Sequence, residues 1–223
     1  MKLYAFQLGR IEDLCLAELK SVLGEENFVD SLSGMAIFKI EIKDPQDLQD
    51  RLGGTIKIIE IVSECSKDEV KDSIEKMMLD HFVDHQGKLP FAINLFGKKS
   101  AKNININNLL NFSKKFLTSY HHRPEKINRG TDNPKPGAIY QGKAIKKGID
   151  INIIETESNF YIGKSISIQN IAAYSLRDYK KPKRDAKTGM TPPKLCQIMI
   201  NLAGPTKTIY DPFCGTGSYL MEG

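Results

Sequence analysis

Apolar positions in the first sixty residues switch between two periods. Leu3 to Leu8 has the spacing of a strand, and Ile11 to Leu23 places apolar side chains at 11, 14, 15, 19, 22 and 23, a helical stripe stopped by Gly24. Phe28 to Leu32 and Met35 to Ile42 read as two strands around a Ser33-Gly34 turn. A short helix opened by Pro45 runs to Leu52 and ends at Gly53-Gly54, and Thr55 to Val62 is a β-rich fourth strand. The order β-α-β-β-α-β predicts a ferredoxin-like unit over residues 1–64.

A second unit is expected over residues 65–166. Lys67 to Phe82 is an amphipathic helix with Val70, Ile74, Met77, Met78 and His81 on or near one face. Leu89 to Phe96 is a strand, and Ile106 to Tyr120 a helix whose Leu109, Leu110, Phe112, Phe116 and Leu117 can face a core. Residues 121–137 are rich in Pro, Gly and Asn and read as an exposed connection. Three short strands are expected after it, at Ala138 to Ala144, Ile149 to Glu155 and Phe160 to Ile166, with Lys146-Lys147-Gly148 as a turn.

A linker at 167–189, with Ser167 to Tyr174 as its first part, leads to a last unit at 190–223. Thr191 is a suitable N-cap there, Pro192 suits a first helical turn, and Gly204 follows the last apolar residue as a C′ stop. Leu195, Ile198, Met199 and Leu202 fall on one face of this helix. Lys207 to Tyr210 then reads as a short strand opening into Asp211-Pro212-Phe213-Cys214-Gly215-Thr216-Gly217 and a new helix.

Charge changes the picture in the middle of the chain. Residues 1–93 hold 11 Lys and Arg against 18 Asp and Glu, residues 94–150 hold 12 against 3, and residues 151–223 hold 9 against 6. The basic segment interleaves its cations with Phe112, Phe116, Tyr120 and Tyr140, which suits phosphate contacts and base stacking, or equally a solvated helix face beside a basic loop. Lys98, Lys99, Arg123, Arg129, Lys143, Lys146 and Lys147 are the candidate RNA-binding residues, and Lys126 and Lys135 could also reach phosphates.

Other totals narrow the classes. No apolar run approaches the ~18 residues of a membrane helix and the N-terminus lacks a secretory apolar region, so a cytoplasmic protein is expected. Cys15, Cys65, Cys196 and Cys214 are scattered without a Cys-x-x-Cys pair, which points to reduced, buried thiols rather than disulfides or a zinc site. His81 and His85 lie four apart and with Asp84 offer a weak metal-site pattern, against a frayed and solvated histidine pair.

The glycine turn carries the clearest chemistry. Gly215 and Gly217 lack a Cβ, so the backbone can bend sharply and bring its N–H groups close to a ligand. Thr216 can supply a hydroxyl or cap the following helix, and Asp211 stands at the carboxyl end of its strand, where open α/β sheets bind ligands.

The seven residues Asp211 to Gly217 resemble the first cofactor motif of Rossmann-like amino-group methylases. Joined to Arg177-Asp178, Arg184-Asp185 and Gly189-Met190-Thr191-Pro192-Pro193-Lys194-Leu195, they are similar to the THUMP-containing tRNA guanosine N2-methyltransferases of the guanosine-10 type found in archaea and eukaryotes. Leu8-Gly9-Arg10, Ala17-Glu18-Leu19, Leu52-Gly53-Gly54-Thr55-Ile56-Lys57-Ile58, Gln169 and Tyr174 also match that family's pattern, whereas Thr191 stands where it usually has leucine.

The resemblance implies an α+β ferredoxin-like domain and a THUMP domain, followed by the beginning of an α/β Rossmann-like methyltransferase domain. It also implies S-adenosylmethionine as cofactor, held by Asp211, Phe213, Gly215, Thr216 and Gly217, with Thr191 and Asp185 in the same pocket, and tRNA as partner, docked by its acceptor end.

The family holds its target amine with a downstream Asp/Asn-Pro-Pro-aromatic motif. The 223 residues contain none, so no catalytic residue is named, and the sequence reads as the first part of a longer enzyme, expected to be inactive alone. An amino-methylase acting on rRNA or DNA, or a non-catalytic THUMP module, are the alternatives.

Overall fold

A computed structural model describes residues 1–82, 87–97, 104–128, 133–180, 190–204 and 208–223. Its frame is an eight-stranded sheet in the order β2-β3-β1-β4-β8-β7-β5-β6. The first half comprises β1 (Lys2–Leu8), α1 (Glu12–Leu23), β2 (Phe28–Leu32), β3 (Met35–Ile40), α2 (Pro45–Arg51) and β4 (Thr55–Cys65), in the order anticipated from the apolar pattern. All neighbours within this half pair antiparallel.

The apolar stripe of α1 explains its docking. Cys15 and Leu19 are buried with Leu52 of the loop after α2 against Tyr4, Phe6, Ala36, Phe38 and Ile58 on one sheet face. Phe38 takes Phe6 edge-on at 5.6 Å and Phe28 at 5.5 Å, contacts worth about 0.5–1.5 kcal/mol each beyond area burial. Asp44 caps α2, accepting from the amides of Gln46 and Asp47 at 2.9 and 3.0 Å.

β4 is 11 residues long and hydrogen-bonded on both edges, to β1 and to β8 (Phe160–Ile168). The sheet therefore passes without interruption into the second half. There β8 pairs antiparallel with β7 (Ile149–Glu155), and β7 parallel with β5 (Lys88–Phe96). Helices α3 (Val70–Phe82) and α4 (Ile106–Ser119) cover Leu89, Phe91, Ile93, Ile149, Ile151 and Ile153.

Several elements differ from the sequence reading. Residues 121–137 are not merely a connection: Arg123–Lys126 forms β6, an edge strand parallel to β5. Past β6, side-chain amides take over the pairing. Asn128 exchanges hydrogen bonds of 3.1 and 2.8 Å with the backbone of Ile93, and Asn133 does the same with Leu95 at 2.7 and 2.9 Å.

The strand expected at Ala138 to Ala144 is instead two short helices, α5 (Pro136–Gln141) and α6 (Ala144–Lys147). Pro136 is pre-set for a first helical turn, and Ile139 and Ala144 pack on Ala92 and Ile168. Lys146 and Lys147 accordingly lie on α6 rather than in a turn. The expected linker begins inside β8 and holds α7 (Ile171–Tyr179), capped by the Asn170 side chain.

Thr191 does not cap the next helix: α8 (Pro193–Leu202) begins after Pro192, with Pro193 in its first turn and no side-chain cap. Thr208 to Tyr210 pair with none of the eight strands, and Lys207 lies outside the described residues. Isolated from a sheet, a three-residue extended run has nothing to hold it as a strand. The glycine turn follows and leads into α9 (Ser218–Glu222). Cys15, Cys65 and Cys196 are buried as expected, whereas Cys214 is exposed at the turn. Among the described residues no helix is long and apolar enough to cross a membrane.

A buried polar cluster fastens the two halves at the middle of the sheet. The Lys57 ammonium of β4 donates to Asp150 and Asn152 of β7, each at 2.9 Å, and both ionic side chains are at most 2 % exposed. Asp150 also accepts from Asn94 at 2.7 Å and from Ser165 at 2.5 Å. Breaking a buried pair leaves an uncompensated charge, so Lys57→Met should cost about 3–5 kcal/mol in urea unfolding. The added change Asp150→Asn should recover part of that loss; strictly additive losses would show that the pair is not coupled.

Candidate functional site

The basic residues gather at the β5–β6 edge. Register places Lys88 opposite Arg123 and Pro90 opposite Glu125. Gly148 then brings the end of α6 against β5, because a Cβ there would lie 1.7 Å from the Pro90 carbonyl oxygen. His81 Nε2, from α3, lies 3.1 Å from the Gly148 oxygen of the same corner.

The result is a cleft of about 680 Å³ lined by Lys88, Lys143, Lys146 and Lys147, with His81 and Glu125. Lys143 forms the corner between α5 and α6 at φ +58, a left-handed conformation that costs a side-chain-bearing residue about 1 kcal/mol or more. A neighbouring cleft of about 590 Å³ shares Pro90, Glu125 and Gly142 and adds Lys126 and Lys135. Four ammonium groups around one depression favour a polyanion, and the Glu125 carboxylate limits their mutual repulsion.

Of the RNA-binding candidates, Lys143, Lys146 and Lys147 are thus together, and Arg123 sits at the adjoining sheet edge. Lys98, Lys99 and Arg129 lie outside the described residues. Lys88 was not singled out from the sequence, since it belongs to the acidic first 93 residues; only the parallel register brings it here. Phe112, Phe116 and Tyr120 form a ladder along α4, with centroids 6.3 and 5.0 Å apart, and the Lys71 ammonium lies 4.1 Å from the Phe112 ring. Tyr120 and Tyr140 keep exposed surface for stacking. Asp84 and His85 lie outside the described residues, and among those described no cluster of His, Cys, Asp or Glu could hold a metal.

The glycine turn lies at the far end of the chain. Gly215 and Gly217 have φ of +52 and +74, and the amide of Gly217 donates to the Cys214 oxygen at 2.7 Å. Asp211 accepts from the Phe213 amide at 3.0 Å, which closes the bend. Gly217 rather than Thr216 stands at the N-cap of α9, with no side-chain cap. Space around Gly217 is open: an added Cβ would meet nothing within 4 Å. Asp211 lines a cleft of about 430 Å³ with Met199, Tyr210 and Tyr219. Phe213 is 92 % exposed, the Thr191 carbonyl accepts from the Cys196 thiol, and Asp185 lies outside the described residues.

α8 joins this end to the first half of the fold through an unanticipated face. Its buried side chains include Cys196, Gln197, Ile198 and Asn201, whereas Leu195 and Met199 of the expected stripe remain exposed. Gln197 donates to the Asp50 oxygen at 3.0 Å, and its own side-chain oxygen accepts from the Tyr174 hydroxyl. Lys194 donates to Gln169 at 2.5 Å, and Gln169 in turn donates to the Gly53 oxygen at 3.2 Å. Arg177 reaches Glu222 of α9 at 2.7 Å, and that carboxylate is only 2 % exposed.

Burial sets the acid–base behaviour at this junction. It pushes the Tyr174 hydroxyl up to about 12 and lowers the Lys194 ammonium. A phenol raised in the folded state stabilises the fold below its ordinary value near 10, and that contribution fades as pH rises from about 10 through about 12. Burial raises Tyr4 and Tyr161 as well, so ultraviolet titration should show three of the 8 tyrosines ionising late, with the Tyr174 step at about 12 accompanied by loss of structure. Tyr174→Phe should remove the step near 12 and leave the other two; persistence of a step near 12 would contradict the assignment.

No family model and no curated protein match this chain. Solved structures do. TrmN from Thermus thermophilus matches at 15% identity with a TM-score of 0.56, over 99% of this chain and 60% of that one. SMU.472, a methyltransferase candidate complexed with SAH, matches at 15% identity and 0.51, over 99% and 54%. A predicted N6-adenine-specific DNA methylase from Listeria monocytogenes matches at 12% and 0.51, over 99% and 53%. The chain thus spans between half and about three fifths of these structures, and at such identities the likeness is one of fold: a mixed α/β architecture shared with methyltransferase-type chains.

Proposed function

We propose that this chain is the tRNA-docking part and first cofactor corner of an S-adenosylmethionine-dependent tRNA guanine-N2 methyltransferase acting on guanosine 10. In this reading residues 1–64 form the ferredoxin-like domain, 65–166 the THUMP domain, 167–189 the linker and 190–223 the start of the Rossmann-like domain. The lysine cleft at the β5–β6 edge carries the reading, because it joins the candidates Lys143, Lys146 and Lys147 to Lys88, distant in sequence, in one anion-attracting depression.

The fit to the cofactor rests on the turn. Left-handed Gly215 and Gly217 with open space around Gly217 suit a ligand approached by backbone amides, and Asp211 adds an acceptor. When bound, S-adenosylmethionine supplies the electrophilic methyl group. Gly215, Thr216, Gly217, Asp211 and Phe213 would hold it, and the family resemblance assigns Thr191 and Asp185 to the same role. The SAH bound by SMU.472 supports that choice. The DNA methylase among the matched structures keeps an amino-methylase acting on DNA, or on rRNA, as the second reading.

Transfer of labelled methyl groups from S-adenosylmethionine to tRNA by the natural full-length protein tests the reading, with label expected as N2-methylguanosine at position 10. Label in DNA or rRNA alone would favour the second reading. For this chain, Lys143→Ala, Lys146→Ala and Lys147→Ala together should weaken tRNA binding and reduce the salt slope of log K by about 2–3. An unchanged slope would place the RNA elsewhere.

A further inference from the structure

Glu18 is a fully buried carboxylate on α1, with no exposed surface. Its Oε1 accepts from the Gly53 amide at 2.9 Å and from the Asn201 side chain at 2.7 Å, and its Oε2 accepts from the Gly54 amide at 2.8 Å. One side chain thus ties α1 to the loop after α2 and to α8, 183 residues later.

The surroundings are built to the same end. Gly53 carries no Cβ where one would fall 2.2 Å from the Lys194 oxygen, so α8 can lie directly on the loop. The Gly53 oxygen accepts from Gln169 just before α7. Asn201 also donates to the Arg51 oxygen at 2.9 Å, and the Asn201 oxygen accepts from Ser21 of α1 at 2.7 Å. Glu18, Gly53, Gly54 and Asn201 line neither the lysine cleft nor the cleft at Asp211. They instead connect the half of the fold that starts the sheet with the helix that leads to the turn.

We propose that Glu18 is a positioning residue that fixes the orientation of α8, and with it the glycine turn, on the N-terminal half through Gly53, Gly54 and Asn201. A charged acceptor serving three donors in a dry site is strong and directional, and it is expensive to leave half-made. The two side-chain carboxylate oxygens therefore favour one docked position of α8 over a range of loosely packed ones. The consequence for methyl transfer rests on the reading proposed above; the fixed orientation does not.

Spin labels at Val62→Cys on β4 and Met199→Cys on α8, both exposed sites, read that orientation in a Cys214→Ser background, because the other three cysteines are buried. The distance distribution should be narrow, and at least about twofold broader in Glu18→Ala and in Asn201→Ala, with cooperative unfolding retained. Should Glu18→Ala not fold, Glu18→Gln takes its place, since it keeps the shape and one acceptor. A distribution that stays narrow in either the Glu18 or the Asn201 variant overturns the proposal.

In the natural full-length protein the same changes should lower kcat for methyl transfer roughly 100-fold while Kd for tRNA stays within about twofold. A parallel loss of tRNA affinity would show a general structural role and overturn the positioning claim. Absence of methyl transfer in the unsubstituted protein would refute the enzyme reading and leave the distance measurement to decide the role of Glu18.

Discussion

Eleven residues of β4 hold two half-sheets together, because both edges of that strand are hydrogen-bonded. A strand used on both sides cannot slip by one residue without turning every side chain of both halves to the wrong face. Lys57 reinforces the constraint by joining β4 to Asp150 across the intervening β8. The lysine cleft at the β5–β6 edge of the sheet and the helices leading to the glycine turn, docked on α1 and the loop before β4, are consequently placed by a single framework.

Polar groups do the joining where apolar packing would leave the geometry open. Apolar clusters on the sheet are interchangeable in shape within limits, but a buried ammonium or carboxylate must meet its particular partners. Lys57 within the sheet and Glu18 beneath α8 are the two clearest cases, and each spans elements far apart in sequence. The same logic explains the Asn128 and Asn133 side chains, which complete the hydrogen bonding of β5 where the backbone of a neighbouring strand runs out.

Strands and helices with strong periodicity were legible from the chain alone: β1, α1, β5, α4, β7 and β8 all lie within a few residues of where alternation or a helical stripe places them. β6 was not legible, because Arg-Pro-Glu-Lys has no apolar alternation and pairs on one edge only. α5 and α6 were misread because Ile139 and Ala144 are as compatible with a short strand as with a helix until Ala92 and Ile168 are seen beneath them. The stripe on α8 misled for a different reason. Its buried face includes Gln197 and Asn201, polar residues whose partners Asp50, Arg51 and Glu18 lie some 150 positions or more away in sequence. In the site, Lys143, Lys146 and Lys147 could be picked from charge density, but their meeting with Lys88 depends on a strand register that sequence does not display.

The most direct test of the account is filter binding of this chain to tRNA, intact and with the acceptor end trimmed, across a salt series. A docking surface for the acceptor end predicts tight binding to intact tRNA at low salt, a steep fall with salt, and marked loss on trimming. Equal binding of intact and trimmed tRNA would contradict it, leaving the lysine cleft as a surface for some other polyanion.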